Sequence, residues 1–434
     1  MHRIHGGLTV IAPIKGNSVE LGKLLKSLNG NAPNSAFQIS ETTLFAAGVI
    51  LPAQTYQSTN DLPESLVFDT TYCGPLSNHL DDLMATNFNN LRAMFTCCDQ
   101  SLTNANKAEL IAYIHNHSQT GSFSSGYNLI TKNEVKLEKD LRKEIGIYLD
   151  KAQKLGAFDC LRPTEIKTLI YRHVKSLGDE YNWAFKPFRK SIMEWWQTAR
   201  LFLVPAAFIL LLFFLLSKKI LLTIILTVGI VVFFRYILFP LIQLHINRHN
   251  TYKGCWRPED KKVRAIAATQ LNPIINGMTA AAPLKDGLVR RYFYYYTLKI
   301  IGLIAHIKVK VPTVSSIRWL SIDNKKRLLF LSNYSNTTDF YVRDFLIGKT
   351  PIGVNFMFSN GKHFPDAKFS YKGGIRDQPE NYMNAVHTGQ HVMDLWYTHD
   401  NSLTVDMINR NRTIRKGLIK KMNDDEAREW LRLL

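Results

Sequence analysis

The sequence contains an internal duplication, and its two copies stand on either side of a long apolar segment. Residues 7–15 recur as residues 277–285, with five identities in nine positions. Two more matches follow in the same order: Leu66-Val67-Phe68 with Leu328-Leu329-Phe330, and Leu141-Arg142-Lys143 with Ile414-Arg415-Lys416. Collinear matches at shifts of 270, 262 and 273 residues indicate that one unit was copied within the chain, so the fold must accommodate both copies.

Each copy has the pattern of an α+β unit. In the first copy, apolar periodicity predicts strands at 8–14, 43–51, 65–72 and 91–97, and helices at 18–28 and 76–85. The second copy repeats it, with strands at 278–284, 311–321, 327–334 and 352–359, and helices at 288–305 and 338–347. The order β-α-β-β-α-β is that of a ferredoxin-like module. We therefore expect an α+β fold with two such modules, whose open sheet faces pack against each other.

The apolar segment between the copies predicts a transmembrane hairpin. Residues 201–216 and 220–234 carry no charge, and Lys218 and Lys219 lie in the turn between them. More lysine and arginine flanks the hairpin than lies in its turn, which would place both large domains in the cytoplasm. A hairpin that enters one leaflet and a hairpin buried in a soluble core are the alternatives, the first because both arms are short and Arg235 is costly in hydrocarbon.

These features define four segments. The predicted boundaries are 1–155 for the first module, 156–198 for a helical connector, 199–244 for the hairpin and 245–434 for the second module. The predicted location is the inner, cytoplasmic membrane.

The composition points to an anionic partner. The net charge of +19 favours either nucleic acid or anionic lipid headgroups, and the hairpin favours the lipid bilayer. Five cysteines without metal-ligand spacing are typical of a reducing compartment, and no secretory signal precedes the first copy. The aromatic run from Arg290 to Tyr296 falls on a helix, so it favours packing near a membrane over base stacking, and specific nucleic-acid binding is not expected.

Several segments of the second copy resemble a large, poorly characterised bacterial family of two-domain membrane proteins, distantly similar to the dimeric α+β barrels that include dye-decolourising peroxidases. The resemblance rests on Val311-Pro312-Thr313, Arg318-Trp319, Ser332-Asn333-Tyr334, Gly374, Arg376-Asp377, Trp396-Tyr397 and Leu403-Thr404-Val405. It implies tandem ferredoxin-like modules, and it admits a haem cofactor and a homo-oligomer. Where the family tends to carry a histidine on the second strand, this chain has Leu44 and Ser315.

Candidate ligand or interface residues come from the same segments. They are Arg318, Asn333, Tyr334, Asp339, Arg376, Asp377, Trp396 and Tyr397. The run from Asn333 to Asp339 is typical of a strand-to-helix turn, which either caps its helix or presents backbone N–H groups to an anionic ligand.

Histidines supply weaker candidates. His387 and His391 have the i, i+4 spacing of metal ligands on a helix, but no third ligand has an evident spacing. A haem-binding histidine would come from that group, from His399, or from His115, His117 or His363. No nucleotide-binding fingerprint, Ser-His-Asp arrangement or zincin motif is present.

Two functions remain open from the sequence. The first is a membrane-anchored, cytoplasm-facing binding or assembly platform at an anionic bilayer, which the missing catalytic motifs favour. The alternative is a haem-dependent, peroxidase-like enzyme that acts on a hydrophobic substrate from the membrane, and this interpretation rests on fold analogy alone.

Overall fold

The structure is a computed structural model. It describes residues 4–28, 35–56, 59–127, 129–187, 228–229, 232–238, 241, 258–269, 274–308, 313–344, 357–368, 372–373 and 377–434.

Strands and helices alternate in both halves of the chain. The strands are β1 His5–Pro13, β2 Thr43–Leu51, β3 Gln54–Tyr56, β4 Thr59–Leu62, β5 Ser65–Cys73, β6 Ser122–Ser125, β7 Ile275–Pro283, β8 Val314–Ile322, β9 Arg327–Ser335, β10 Ala367–Lys368, β11 Lys372–Gly373, β12 Gln390–His391 and β13 Leu395–Thr398. The helices are α1 Ser18–Leu28, α2 Ala36–Ile39, α3 Leu76–Thr86, α4 Phe88–Thr96, α5 Lys107–His117, α6 Lys132–Lys154, α7 Pro163–Ser176, α8 Asp260–Thr269, α9 Leu288–Lys308, α10 Thr338–Tyr341, α11 Pro379–Gly389, α12 Val405–Ile419 and α13 Asp424–Leu431.

Two antiparallel sheets form the centre of the fold. The first has the strand order β1-β5-β2-β13, and the second has the order β12-β7-β9-β8-β6. The β1–β5 register pairs Val10 with Phe68, and the β7–β9 register pairs Ala280 with Phe330. Because these positions differ by the same shifts as the sequence repeat, the predicted equivalence of Phe68 and Phe330 is confirmed.

The two halves exchange one strand each. Strand β13 comes from the second half but pairs with β2 of the first sheet, with Trp396 opposite Ala47. Strand β6 comes from the first half but pairs with β8 of the second sheet, with Phe123 opposite Arg318. Both exchanged strands are four residues long and differ in position by 273 residues, as do Thr131 and Thr404, which cap the helices that follow them. The exchange is therefore reciprocal, and neither sheet is built from one half alone.

Side chains on opposite faces of each strand enter different cores. The outward faces pack against helices in two clusters, one around Phe68 and Phe95 and the other around Phe330 and Phe358. The inward faces of the two sheets meet in a third cluster, which joins Ile11, Val49, Val67, Leu329, Leu331 and their neighbours. The sheets thus pack face to face, as the duplication predicted.

Four helices form a separate layer. Helices α6, α7, α12 and α13 bury Leu141, Ile170, Ile414, Leu418 and Trp430 among one another. Since α6 and α12 each follow an exchanged strand, this helical layer is also shared between the halves.

One predicted strand of the first copy is a helix. Residues 88–96 form α4 rather than a strand at 91–97, because Leu91, Met94 and Phe95 have the i, i+3, i+4 spacing of a buried helical face. In the second copy, the predicted strand at 352–359 lies mostly outside the described residues, but Met357 and Phe358 are helical.

The predicted transmembrane hairpin, residues 199–244, lies outside the described residues apart from a few positions. Within the part of the chain that is described, no helix combines the length and the apolar character needed to cross a bilayer. By that finding, the predicted fold class with a transmembrane hairpin and the predicted inner-membrane location are wrong. The architecture that is observed is mixed α+β with two antiparallel sheets, and it is compatible with a ferredoxin-like pattern.

Candidate functional site

Three of the predicted site residues meet between the sheets. Arg318 Nη1 lies 3.2 Å from Asp69 Oδ1, and the Thr9 hydroxyl also donates to that carboxylate. Trp396 Nε1 donates to Asn333 Oδ1 at 3.0 Å, and Asn333 Nδ2 donates to Ser316 Oγ at 2.9 Å. We call this set the inter-sheet polar layer: Thr9, Asp69, Thr71, Ser316, Arg318, Asn333 and Trp396.

The inter-sheet polar layer links the two halves. Asp69 and Arg318 are both buried and come from different sheets. Burial raises the pKa of the Asp69 carboxyl, and the Arg318 guanidinium and the Thr9 hydroxyl offset this only in part. A charge buried in this way is costly unless it keeps its partner, so the layer fixes how the sheets pair.

The other predicted site residues lie elsewhere. Tyr334 faces the helices, where it stacks on Tyr341 at 4.2 Å and its hydroxyl contacts that of Thr338 at 2.7 Å. Asp339 Oδ1 accepts from His387 Nε2 at 2.9 Å, which lowers the pKa of Asp339. Asp377 lies in an exposed turn, and Arg376 is outside the described residues. Tyr397 stacks on Phe37 at 5.9 Å, on the opposite face of β13 from Trp396.

A surface groove of about 590 Å³ lies where the exchanged strand β13 meets the first half. Its lining residues are Gln38, Ile39, Ser40, Glu41, Thr131, Lys132, Asn133, Val135, Lys136, Lys139, Asp140, His399 and Asp400. We call it the exchange groove. Its volume is within the range of small-molecule sites, and residues of both halves line it.

Helix α6 forms one wall of the exchange groove. Thr131 and Glu134 cap its start, since Glu134 N donates to Thr131 Oγ1 at 3.2 Å and Thr131 N donates to Glu134 Oε2 at 3.0 Å. The cap fixes the first turn, and the side chains of Lys132, Lys136 and Lys139 line the groove from this helix. Lysines spaced three and four residues apart share one helix face.

The opposite wall is held by Asp82. Its carboxylate accepts from Ser40 Oγ at 2.6 Å, from Thr42 Oγ1 at 2.5 Å and from Thr42 N at 3.0 Å. Although burial opposes the effect, these hydrogen bonds lower the pKa of Asp82. Thr42 also contacts His79 Nδ1 at 2.8 Å, and Thr70 contacts His79 Nε2 at 2.9 Å, so both ring nitrogens of His79 have partners.

Lys132 joins the two walls. Its Nζ donates to the backbone carbonyls of Phe37, Gln38 and Ser40 at 3.3, 2.7 and 2.6 Å, and it lies over the ring of Tyr397. Burial lowers the pKa of Lys132 to about 8. Because three carbonyls use its three protons, Lys132 acts as a structural cation at the base of the wall.

The second half contributes His399 and Asp400. Asp400 accepts from Lys139 Nζ at 2.7 Å and from Ser402 Oγ at 2.6 Å, and these contacts lower its pKa against the effect of burial. His399 Nδ1 lies 3.2 Å from the carbonyl of Leu44, and its Nε2 lies 3.5 Å from the hydroxyl of Tyr127. Burial lowers the pKa of His399 to about 4, so the imidazole is neutral at pH 7.

The polar set of the exchange groove occurs in only one of two equivalent places. The 273-residue shift makes Val405, Asn409, Arg412 and Thr413 the counterparts of Lys132, Lys136, Lys139 and Asp140, and it makes Gly126 and Tyr127 the counterparts of His399 and Asp400. The backbone there is equivalent, since His399 N donates to the Leu44 carbonyl at 2.8 Å and Gly126 N to the Ser315 carbonyl at 3.0 Å. The fold therefore does not require these polar side chains.

The histidine candidates do not form a metal site. Helix α11 ends at Gly389, so His387 and His391 lie on different elements and do not share a helix face. Among the described residues, no group of three or more His, Cys, Asp or Glu side chains is arranged to hold a metal ion.

Sequence analysis missed the exchange groove, although a signal for it was present. Comparing the two copies position by position along α6 and α12 shows that the caps and the Arg-Lys pair are kept while the lysines are not. Protein-family models, curated proteins and solved structures were compared with this chain, and none matches it.

Proposed function

We propose that this chain is a binding protein that takes a small polar molecule in the exchange groove. One observation carries the proposal: the duplicated fold is built twice, but the charged lining of the groove is present once. Side chains that a fold does not need, at a concave site that both halves line, support a ligand-binding role.

The state of the titratable groups favours binding over catalysis. Lys132 and Lys139 are committed to carbonyls, Asp400 and Ser402, and both ring nitrogens of His399 have partners. A general base or nucleophile needs a lone pair that can reach a substrate. The alternative of a haem enzyme requires a histidine nitrogen for the iron, and His399 offers none.

A pair of equivalent tryptophan variants tests the proposal. Asn133→Trp places a large ring in the exchange groove, and Asp406→Trp places the same ring at the equivalent exposed position of α12. Ligand-observed NMR would measure binding of a panel of anionic, cationic, zwitterionic and neutral small molecules to each variant. We expect at least one compound to bind the wild type and Asp406→Trp but not Asn133→Trp.

Two results would contradict the proposal. One is an Asn133→Trp variant that binds the same compounds as the wild type. The other is a panel in which no charge class binds the wild type at all. Circular dichroism of both variants would check that each is folded.

A further inference from the structure

The charged side chains of the exchange groove fall into two groups. Lys139 and Asp400 pair with each other at 2.7 Å, and Lys132 is surrounded by backbone carbonyls. Lys136, Asp140 and Glu41 form no side-chain hydrogen bond and no ion pair with any residue that the structure describes. The groove therefore offers a ligand one uncommitted cation and two uncommitted carboxylates.

These three groups line both walls. Lys136 and Asp140 are four residues apart on α6, a spacing at which a lysine and an aspartate can pair, yet no ion pair joins them. Glu41 lines the opposite wall, and hydrogen bonds from its neighbours Ser40 and Thr42 to Asp82 hold that segment in place. A ligand in the groove would lie between a wall with both signs of charge and a wall with a negative charge.

The equivalent positions of the other half lack this arrangement. Asn409 and Thr413 stand where α6 has Lys136 and Asp140, and both counterparts are uncharged. The α12 helix forms without them, so helix stability does not explain the charges on α6.

Charge complementarity selects the ligand class. When a ligand fills a groove, the charges on its walls lose water, and each one then needs an opposite charge or a hydrogen-bond partner. A simple anion would satisfy Lys136 and leave the carboxylates without a partner, and a simple cation would do the reverse. We infer that the exchange groove binds a small zwitterion, whose ammonium group faces Glu41 and Asp140 and whose carboxylate faces Lys136.

This inference rests on the proposed function and is tested with four matched probes. They are alanyl-alanine, its N-acetyl form, its C-terminal amide and the form blocked at both ends, which carry both charges, the negative charge, the positive charge and no charge. Isothermal titration calorimetry with the full chain should give at least about tenfold tighter binding for the doubly charged probe, as one added ion pair in a partly desolvated site would provide.

Charge-removing variants assign each end of the probe. Lys136→Gln should bind alanyl-alanine and its amide equally well, because the site no longer distinguishes a free carboxylate. Glu41→Gln should reduce the preference for a free amine in the same way. Lys143→Gln, an exposed lysine of the same helix outside the groove, should keep the wild-type preferences.

The outcomes separate the two proposals. Equal binding of the four probes, absence of binding by alanyl-alanine, or variants that keep the wild-type preferences would overturn the zwitterion assignment. If the panel compounds still discriminate Asn133→Trp from Asp406→Trp, the proposed function stands without that assignment. If Asn133→Trp changes no binding, both proposals fail.

Discussion

Glu138 of α6 and Arg415 of α12 form a buried ion pair between the halves, with Glu138 Oε1 3.2 Å from Arg415 Nη1. Their counterparts under the 273-residue shift, Asn411 and Arg142, also contact each other, at 3.4 Å between Asn411 Oδ1 and Arg142 Nη1. The two contacts are related by the pseudo-symmetry of the duplication. Only one of them joins opposite charges.

Removing either arginine should therefore have an unequal cost. Arg415→Ala leaves the Glu138 carboxylate buried without its partner, which typically costs about 3–5 kcal/mol. Arg142→Ala leaves a neutral amide instead, and the expected cost is about 1 kcal/mol. Urea unfolding at pH 7 would measure both, and equal costs would argue against the importance of the charge on Glu138.

Truncation of the two equivalent phenylalanines should destabilise both halves. Phe330 is fully buried and contacts Trp319 and Phe358, with ring centroids 4.9 and 5.0 Å away. Phe330→Ala and Phe68→Ala should each cost about 3–5 kcal/mol, as truncation of a buried aromatic does. The exposed Phe340 is the control, and Phe340→Ala should stay within about 0.5 kcal/mol in the same urea titration. A cost below about 1 kcal/mol for Phe330→Ala would place that ring outside the core.

Three buried histidines should make stability depend on pH. Burial lowers the pKa of His5 to about 4, of His79 to about 3 and of His399 to about 4. Because these values lie below the ordinary value of about 6.5, protonation favours the unfolded chain, so the stability is present above pH 6.5 and is lost as the pH falls.

Urea unfolding between pH 7 and pH 5 measures this slope. Well below pH 6.5 each neutral histidine should contribute about 1.4 kcal/mol per pH unit, so His79→Asn, His5→Asn and His399→Asn should each remove about a third of the histidine contribution. An unchanged slope in all three variants would mean that these imidazoles are solvated in the folded chain.

Cysteine cross-linking can verify the strand exchange. Ser125 of β6 lies opposite Ser316 of β8, and cross-strand neighbours are close enough for a disulfide. In a background without the native cysteines, Ser125→Cys with Ser316→Cys should cross-link on mild oxidation, as peptide mass spectrometry would detect. The control pairs Ser125→Cys with Phe45→Cys, the equivalent position of the first half, and should stay reduced. The reverse pattern would mean that each half keeps its own strand.

The residues that the sequence placed correctly belong to long, periodic elements. β1, β2, β5, β7 and β9 have runs whose alternation and spacing are repeated in the second copy, so the repeat supported each assignment. The four-residue β6, Ser122-Phe123-Ser124-Ser125, contains three serines and resembles a loop. Its pairing with β8 depends on tertiary structure, which local propensity does not report.

The candidate site was harder to predict for a geometric reason. Asn333-Tyr334 and Trp396-Tyr397 are neighbours in sequence, but successive strand residues point to opposite faces. Asn333 and Trp396 consequently meet between the sheets, while Tyr334 and Tyr397 pack against helices. The wall of the exchange groove depends on Asp82, whose contacts with Ser40 and Thr42 join segments about forty residues apart.

The reciprocal exchange has a consequence for the order in which the protein folds. The outer strand of the first sheet is supplied by Leu395–Thr398, close to the end of the chain, so β2 has an unpaired edge until almost all of the protein has been synthesised. Contacts that span nearly the whole chain form late, because the entropy of closing so long a loop must be lost first. Until then the open β2 edge can accept a strand from another molecule. Aggregation during synthesis should therefore compete most strongly with folding at this edge.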